Sequence, residues 1–293
     1  MDKLLPTALD FDSLWDYSDP HKTEEKFREV LLQIPDHGPA FLEMLTQIAR
    51  AQGLQRKFNK AHQTLDQVER RLNAAISREK IRYLLERGRV LNTSGDTEAS
   101  RKYFEKALEM ATQLSQDSYA VDALHMLAIV APPASSLDFN LRAIALAESS
   151  GQANARSWLA SLYNNTGWSY HELGEYASAL EMFKKAEKAR VPNGSASEIR
   201  IARWCVARVL RSLNRVEEAL SKQLKLEEEL ESAGETDEYV FEEIGECLLA
   251  LNRSREASVY FAKAHEVLSQ DERFMKQEPA RMARLKKSGS PVS

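Results

Sequence analysis

The chain has 293 residues, of which 43% are hydrophobic and 29% are charged, and its formal net charge is −4. No run of apolar residues approaches the roughly 20 that cross a bilayer, so we expect no membrane contact. The first residues lack the apolar core of a signal peptide, and Cys205 and Cys247 have no spacing typical of a disulfide framework. We therefore expect a cytoplasmic protein with two free, buried thiols.

The scarcity of residues that break helices predicts an all-α protein. Only 11 glycines and 9 prolines occur, and they cluster where turns are expected, whereas alanine, leucine and glutamate abound. At the start of the chain, residues 1–37 are expected to form an acidic capping segment or half repeat, with a helix that Thr23 caps. Four apolar residues of this segment are expected to cover the first full hairpin: Leu9, Phe11, Leu14 and Trp15.

A small residue recurs along the chain in steps of 38 to 40 residues. The positions are Ala49, Gly88, Ala128, Gly167, Ala207 and Gly245. An apolar residue follows 16 positions later in five of the six cases, namely Leu65, Phe104, Ile144, Phe183 and Phe261, whereas the sixth case has Gln223. Because only a small side chain lets two helices approach closely, residues 38–271 are predicted to form repeated helical hairpins. Residues 272–293 are predicted to form a capping helix and a frayed tail.

The clearest repeat is the stretch YNNTGWSYHELGEYASALEMFKKA, from Tyr163 to Ala186. Its first half places apolar and small residues at helical spacing, and Gly174 is expected to end that helix in the left-handed conformation. The spacing of five positions resembles the tetratricopeptide repeat (TPR): Tyr163, Thr166-Gly167, Tyr170, Ala179 and Phe183. The resemblance implies a right-handed superhelical solenoid of antiparallel helix hairpins.

The period of about 39 residues differs from the ordinary TPR period of about 34. The additional residues are mostly helix formers, as in the segment 152–158, and we expect them to lengthen helices more readily than loops. The chain therefore resembles a long-period variant of the family.

Charge is distributed unevenly along the sequence. Residues 50–89 contain eleven lysines or arginines against four acids, whereas residues 227–246 contain ten acids and no base. Two interpretations remain open at this stage. Either these sections form solvated helix faces, or their charges steer a charged partner towards the protein.

The resemblance implies that the first helices of successive repeats line a groove for a peptide or protein segment. Asparagine can bond to both donors and acceptors of a peptide backbone, arginine matches carboxylates, and tryptophan often anchors an interface. Packing between repeats is an equally good interpretation of the tryptophans, and hydrogen bonding between helices is an equally good interpretation of the asparagines. The candidate groove residues are Arg82, Arg89, His125, Asn164, Asn165, Trp168, His171, Trp204, Arg208 and Arg211.

No pattern in the sequence indicates an enzyme, a metal site or a cofactor site. The six histidines are scattered, and the glycines do not form a phosphate-binding loop. The leading hypothesis is a non-catalytic scaffold or adaptor. The alternative is a helical repeat protein that binds nucleic acid or a small ligand through the basic section Arg50–Arg89, although the acidic section disfavours nucleic acid. Self-association through the ends of the array is a third hypothesis.

Overall fold

The computed structural model describes residues 11–192 and 194–290, and throughout these residues the regular structure is helical, without a strand. The predicted all-α fold is thus confirmed. The chain divides into two compact units, Met1–Trp158 and Leu159–Ser293.

The first unit begins with a 3₁₀ turn at Phe11–Leu14, followed by eight α-helices. These are α1 (Pro20–Leu31), α2 (Pro39–Leu54), α3 (Phe58–Glu69), α4 (Arg78–Ser94), α5 (Thr97–Gln113), α6 (Asp117–Val130), α7 (Pro133–Ser149) and α8 (Ala153–Arg156). Each helix packs on the next in chain order, and α4 also contacts α2 and α6. This is the pattern of stacked antiparallel hairpins.

The second unit has the same organisation. Its helices are α9 (Leu159–Glu172), α10 (Tyr176–Arg190), α11 (Ala196–Ser212), α12 (Val216–Ala233), α13 (Glu238–Ala250), α14 (Ser254–Leu268), α15 (Glu272–Gln277) and α16 (Pro279–Ser288). The first helices of successive hairpins contact each other, α9 with α11 and α11 with α13. The last helix, α16, covers α14, as expected for a cap.

Local chemistry sets most of the helix ends. Gly174 adopts φ +77°, which ends α9 as predicted, and Asp96 accepts a hydrogen bond from the backbone N–H of Ala99 to begin α5. At α11, Ser195 and Glu198 form a reciprocal capping box.

Two expectations about helices are wrong. Thr23 does not cap α1; the helix begins at Pro20, and the Asp19 carboxylate accepts from the backbone N–H of Lys22. The segment 152–158 does not lengthen α9. It forms the separate four-residue helix α8, since the chain turns between Arg156 and Leu159.

The first cap is built largely as expected. Phe11 is 3% exposed, and Leu14 and Trp15 pack against the core of the first unit. The Trp15 indole N–H donates to Oε1 of Gln47 on α2 at 3.0 Å, which fixes the cap to the first full hairpin. Leu9 and residues 291–293 of the predicted frayed tail lie outside the described residues.

The small residues on the first helices divide into two kinds, and the difference follows from packing. A Cβ added at Gly88, Gly167 or Gly245 would lie within 3.0 Å of the buried phenylalanine 16 residues later. The alanines at 49, 128 and 207 instead precede Leu65, Ile144 and Gln223, none of which has a ring. Glycine therefore occurs where the partner is aromatic, because the ring occupies the space of the methyl group.

Candidate functional site

One face of the second unit combines six of the predicted groove residues. On α9, Asn164, Trp168 and His171 follow the spacing i, i+4 and i+7, which places them on one side of the helix. On the neighbouring α11, Trp204, Arg208 and Arg211 follow the same spacing. Because α9 and α11 pack together, the two rows are adjacent, and we call them the α9–α11 face.

Aromatic rings join the two rows. The Trp168 ring lies 6.2 Å from the Trp204 ring and 5.1 Å from the buried ring of Phe183, measured between centroids. The Trp204 indole N–H donates to the backbone carbonyl of Tyr239 on α13 at 3.1 Å. Both tryptophans remain partly exposed, so they pack between repeats and also present ring surface.

Two guanidinium groups share a single carboxylate beside these rings. Arg211 donates from Nε to Oε1 of Glu243 on α13 at 2.5 Å and from a terminal nitrogen to Oε2 at 3.1 Å. Arg208 lies 3.4 Å from the same carboxylate and donates to the Ser212 hydroxyl at 2.8 Å. The two guanidinium groups thus share one buried carboxylate, and the carboxylate of Glu246 lies within electrostatic reach of Arg211.

His171 lies next to this cluster. Its Nε2 lies 2.9 Å from the Ser212 hydroxyl oxygen, and its ring lies 5.3 Å from the Trp168 ring. Burial lowers the pKa of His171, and the nearby Arg208 and Arg211 lower it further. A neutral imidazole beside the hydroxyl can donate or accept according to its tautomer.

The asparagines are partly engaged within the protein. The Cys205 thiol donates to Oδ1 of Asn164 at 3.4 Å, and the Asn164 amide donates to Oδ1 of Asn165 at 3.5 Å. Together with Arg190 and Glu198, the two asparagines line a cavity of about 150 Å³ in the second unit. The equal interpretation, hydrogen bonding between helices, is thus realised for Asn164.

The three candidates in the first unit occupy a different environment. Arg82 is only 4% exposed; its Nε donates to the Tyr119 hydroxyl at 2.7 Å and lies 3.3 Å from Oε2 of Glu43. Arg89 donates to Glu86 at 2.6 Å and also pairs with Asp122. Both guanidinium groups therefore tie α4 to its neighbours, and a ligand would have to displace their carboxylates.

His125 lies on α6 beside Trp158, with 5.5 Å between the ring centroids. Its buried Nδ1 has no hydrogen-bond partner within residues 11–192 and 194–290. Burial lowers the pKa of His125, so the ring is neutral near pH 7.

Internal ion pairs account for much of the uneven charge in the sequence. In the basic section, Arg50 and Arg89 pair with Glu86, and Arg87 pairs with Asp66. The acidic section is balanced from outside its own segment. Its pairs are Glu227 with Lys263, Glu229 with Arg203, Glu235 with Arg200, Glu242 with Arg281 and Arg284, Glu243 with Arg208 and Arg211, and Glu246 with Arg284. These pairs favour the interpretation of packed and solvated helix faces, and the steering of a charged partner stays a prediction.

Several residues that shape the site were not among the predicted groove residues, notably Glu43, Tyr119 and Ser212. A signal for some of them exists in the sequence. The pairs Arg211–Glu243, Arg89–Asp122, Arg284–Glu246 and Arg281–Glu242 join residues 32, 33, 38 and 39 positions apart. Opposite charges separated by about one repeat length therefore mark contacts between adjacent hairpins.

In the described part of the chain, no cluster of three His, Cys, Asp or Glu side chains is arranged to hold a metal ion. None of its helices combines the length and the apolar character that a bilayer span requires.

The architecture defines a class of helical repeat protein, and comparisons with known proteins agree with it. The family model of the tetratricopeptide repeat matches residues 81–113 and 160–190. No curated protein sequence is significantly similar to the chain.

Solved structures share the fold at low sequence identity. A STAND signal-transduction ATPase with a tetratricopeptide repeat sensor, from Pyrococcus horikoshii, has a TM-score of 0.70 and 13% identity, over 92% of this chain and 42% of that one. The apo form of RapI has a TM-score of 0.69 and 11% identity, over 95% of this chain and 85% of that one. The apo form of the quorum sensor NprR from B. thuringiensis has a TM-score of 0.59 and 15% identity, over 90% of this chain and 74% of that one. NprR in complex with its cognate peptide NprX has a TM-score of 0.52 and 16% identity, over 90% of this chain and 76% of that one.

Two segments of the chain thus match the tetratricopeptide repeat, and the solved structures share the fold of the helical array. The long period of about 39 residues stays a prediction.

Proposed function

We propose that the protein is a non-catalytic adaptor that binds an extended peptide or protein segment along the α9–α11 face. The observation that carries this proposal is the pairing of Trp168 and Trp204, partly exposed, with two arginines that share one carboxylate. Aromatic surface beside two guanidinium groups suits a segment that carries an apolar side chain and an acidic group.

Arg208 is the residue best suited to engage the acidic group. Its side chain is 25% exposed, and its contact with Glu243 at 3.4 Å is looser than the 2.5 Å contact of Arg211. Arg211 alone can satisfy Glu243, so Arg208 can turn to a ligand carboxylate without leaving that buried charge unpaired. His171, Asn164 and Asn165 would then contact the peptide backbone.

The comparison with NprR supports a peptide partner, because NprR has been captured with its cognate peptide on the same type of fold. The first-unit residues Arg82, Arg89 and His125 remain candidate contacts. However, Arg82 and Arg89 are paired with carboxylates of the protein, so the test is designed on the second unit.

The test begins with a random peptide library, from which binders of the immobilised full chain are selected. Affinities of selected peptides are then measured by fluorescence polarisation for the wild type and for Trp168→Ala and Arg208→Ala. We expect each substitution to weaken binding by about tenfold or more, since anchors of this kind typically contribute at least 1–2 kcal/mol.

Arg203→Ala is the matched control. Arg203 also lies on α11, but its side chain pairs with Glu229 on α12 and lies off the proposed face. Its affinity should stay within about twofold of the wild type. Peptides that bind Trp168→Ala and Arg208→Ala as tightly as the wild type, with all variants equally helical by circular dichroism, would refute the proposed face.

A further inference from the structure

A cavity of about 490 Å³ opens in the first unit between α3, α4 and α5, and no residue of the α9–α11 face lines it. Its apolar walls come from Leu72, Leu84 and Met110 and from the ring of Tyr103. The volume falls within the roughly 300–1,000 Å³ typical of sites for small molecules. Polar and charged side chains also line the cavity, which distinguishes it from a simple packing defect in an apolar core.

The Tyr83 hydroxyl is a buried polar group that lines this cavity. Tyr83 is 4% exposed, and its hydroxyl oxygen has no hydrogen-bond partner among the residues that the structure describes. Burial raises the pKa of Tyr83, so the hydroxyl keeps its proton and can donate. Arg87 and Glu69 lie close enough to this hydroxyl to influence its pKa, so the cavity has a polar wall beside its apolar ones.

The charged side chains around the cavity are mostly basic. Lys102 and Lys106 lie four residues apart on α5, on one face of the helix, and neither pairs with an acid of the described chain. Lys80 contributes a third ammonium group, which lies 3.4 Å from the carbonyl oxygen of Asn73. The single acid on the lining, Glu69, lies 3.5 Å from the Arg87 guanidinium. An anion entering here would therefore meet unpaired positive charge.

We propose that this cavity, which we call the α3–α5 pocket, binds a small organic anion with an apolar body. The acidic group would lie between Lys102 and Lys106, the apolar body would cover Leu84 and Met110, and an acceptor atom would reach the Tyr83 hydroxyl. This site is independent of peptide binding in the second unit, so either can fail without the other.

The probe is 8-anilinonaphthalene-1-sulfonate, an aromatic anion of suitable size, titrated by fluorescence against the full chain. We expect saturable binding at one site. Replacing both lysines, in Lys102→Ala/Lys106→Ala, should weaken binding on the order of tenfold, since each exposed charge contributes modestly. Both lysines are exposed, so this variant should keep the fold.

Two further variants separate a pocket from general attraction. Lys184→Ala/Lys188→Ala removes an equally spaced, exposed lysine pair from α10 and should bind the probe like the wild type. Met110→Trp fills the pocket without changing charge and should abolish saturable binding while helicity is kept. The proposal is overturned if the wild type shows no saturable binding, if either folded pocket variant binds as the wild type does, or if the α10 variant loses as much affinity.

Discussion

Replacing Gly167 by alanine should destabilise the protein, although alanine is the better helix former. Gly167 lies in the middle of α9, and an added Cβ would be 2.6 Å from Cε1 and 2.7 Å from Cδ1 of Phe183. Phe183 is fully buried, so its ring has no free space into which it can swing. The methyl group must therefore force the two helices apart or distort the ring's rotamer.

The magnitude follows from two opposing effects. Alanine gains about 1 kcal/mol of helix propensity over glycine. Overpacking of a filled core typically costs about 1–3 kcal/mol, and contacts this short belong to the upper part of that range. We therefore expect a net loss of about 1–2 kcal/mol in the free energy of unfolding.

The second substitution is Phe183→Leu, which by itself leaves a cavity and should cost about 1–3 kcal/mol. Combined with Gly167→Ala, it reproduces the pairing of Ala49 with Leu65 that the first unit already uses. The added methyl group then fills space that the ring has vacated. The double variant should be more stable than the sum of the single costs predicts, by about 1–3 kcal/mol.

Urea unfolding followed by circular dichroism gives these free energies for the wild type, both single variants and the double variant. Gly151→Ala serves as the control, because an added Cβ there has no neighbour within 4 Å, and its effect should stay below about 1 kcal/mol. Two outcomes would show that the Phe183 ring does not require glycine at position 167. One is a double variant in which the single costs simply add, and the other is a Gly167→Ala protein as stable as the wild type.

Three further predictions concern buried polar groups. Gln223 is fully buried, and neither of its side-chain polar atoms has a hydrogen-bond partner in the described chain. Gln223→Leu should therefore raise the free energy of unfolding by about 1–3 kcal/mol. A free energy of unfolding below that of the wild type in urea titrations would contradict this. Burial lowers the pKa of His125 in the folded protein. As pH falls through about 6.5, this histidine therefore takes up a proton in the unfolded chain before it does so in the folded protein, and the free energy of unfolding should decrease between pH 7.5 and 5.5. His125→Gln should lose less stability over the same interval, and an identical loss would exclude the role of His125. Burial raises the pKa of Cys205 and of Cys247 to about 12, so neither thiol should react with Ellman's reagent until urea unfolds the protein; fast reaction of the native chain would contradict this burial.

The sequence by itself determined the class of fold. Helix-forming composition, helical spacing and the recurring small residue are local or periodic properties, and they predict hairpins before any contact is known. The same holds for Gly174, because the end of a helix depends on groups within a few residues. It also predicts that Trp204, Arg208 and Arg211 share a face, since side chains at i, i+4 and i+7 do so in any helix, whereas their role in binding stays a prediction.

Only the tertiary structure decided which of the predicted groove residues are engaged within the protein. Whether Arg82 faces solvent or Glu43 depends on how two helices 39 positions apart approach each other, and the register of α4 settles that contact. The pairing of glycine with phenylalanine likewise became interpretable only when the ring was found in the space of the missing methyl group. The unpaired hydroxyl of Tyr83 could not be predicted either, because an absent hydrogen bond depends on every residue packed around the group.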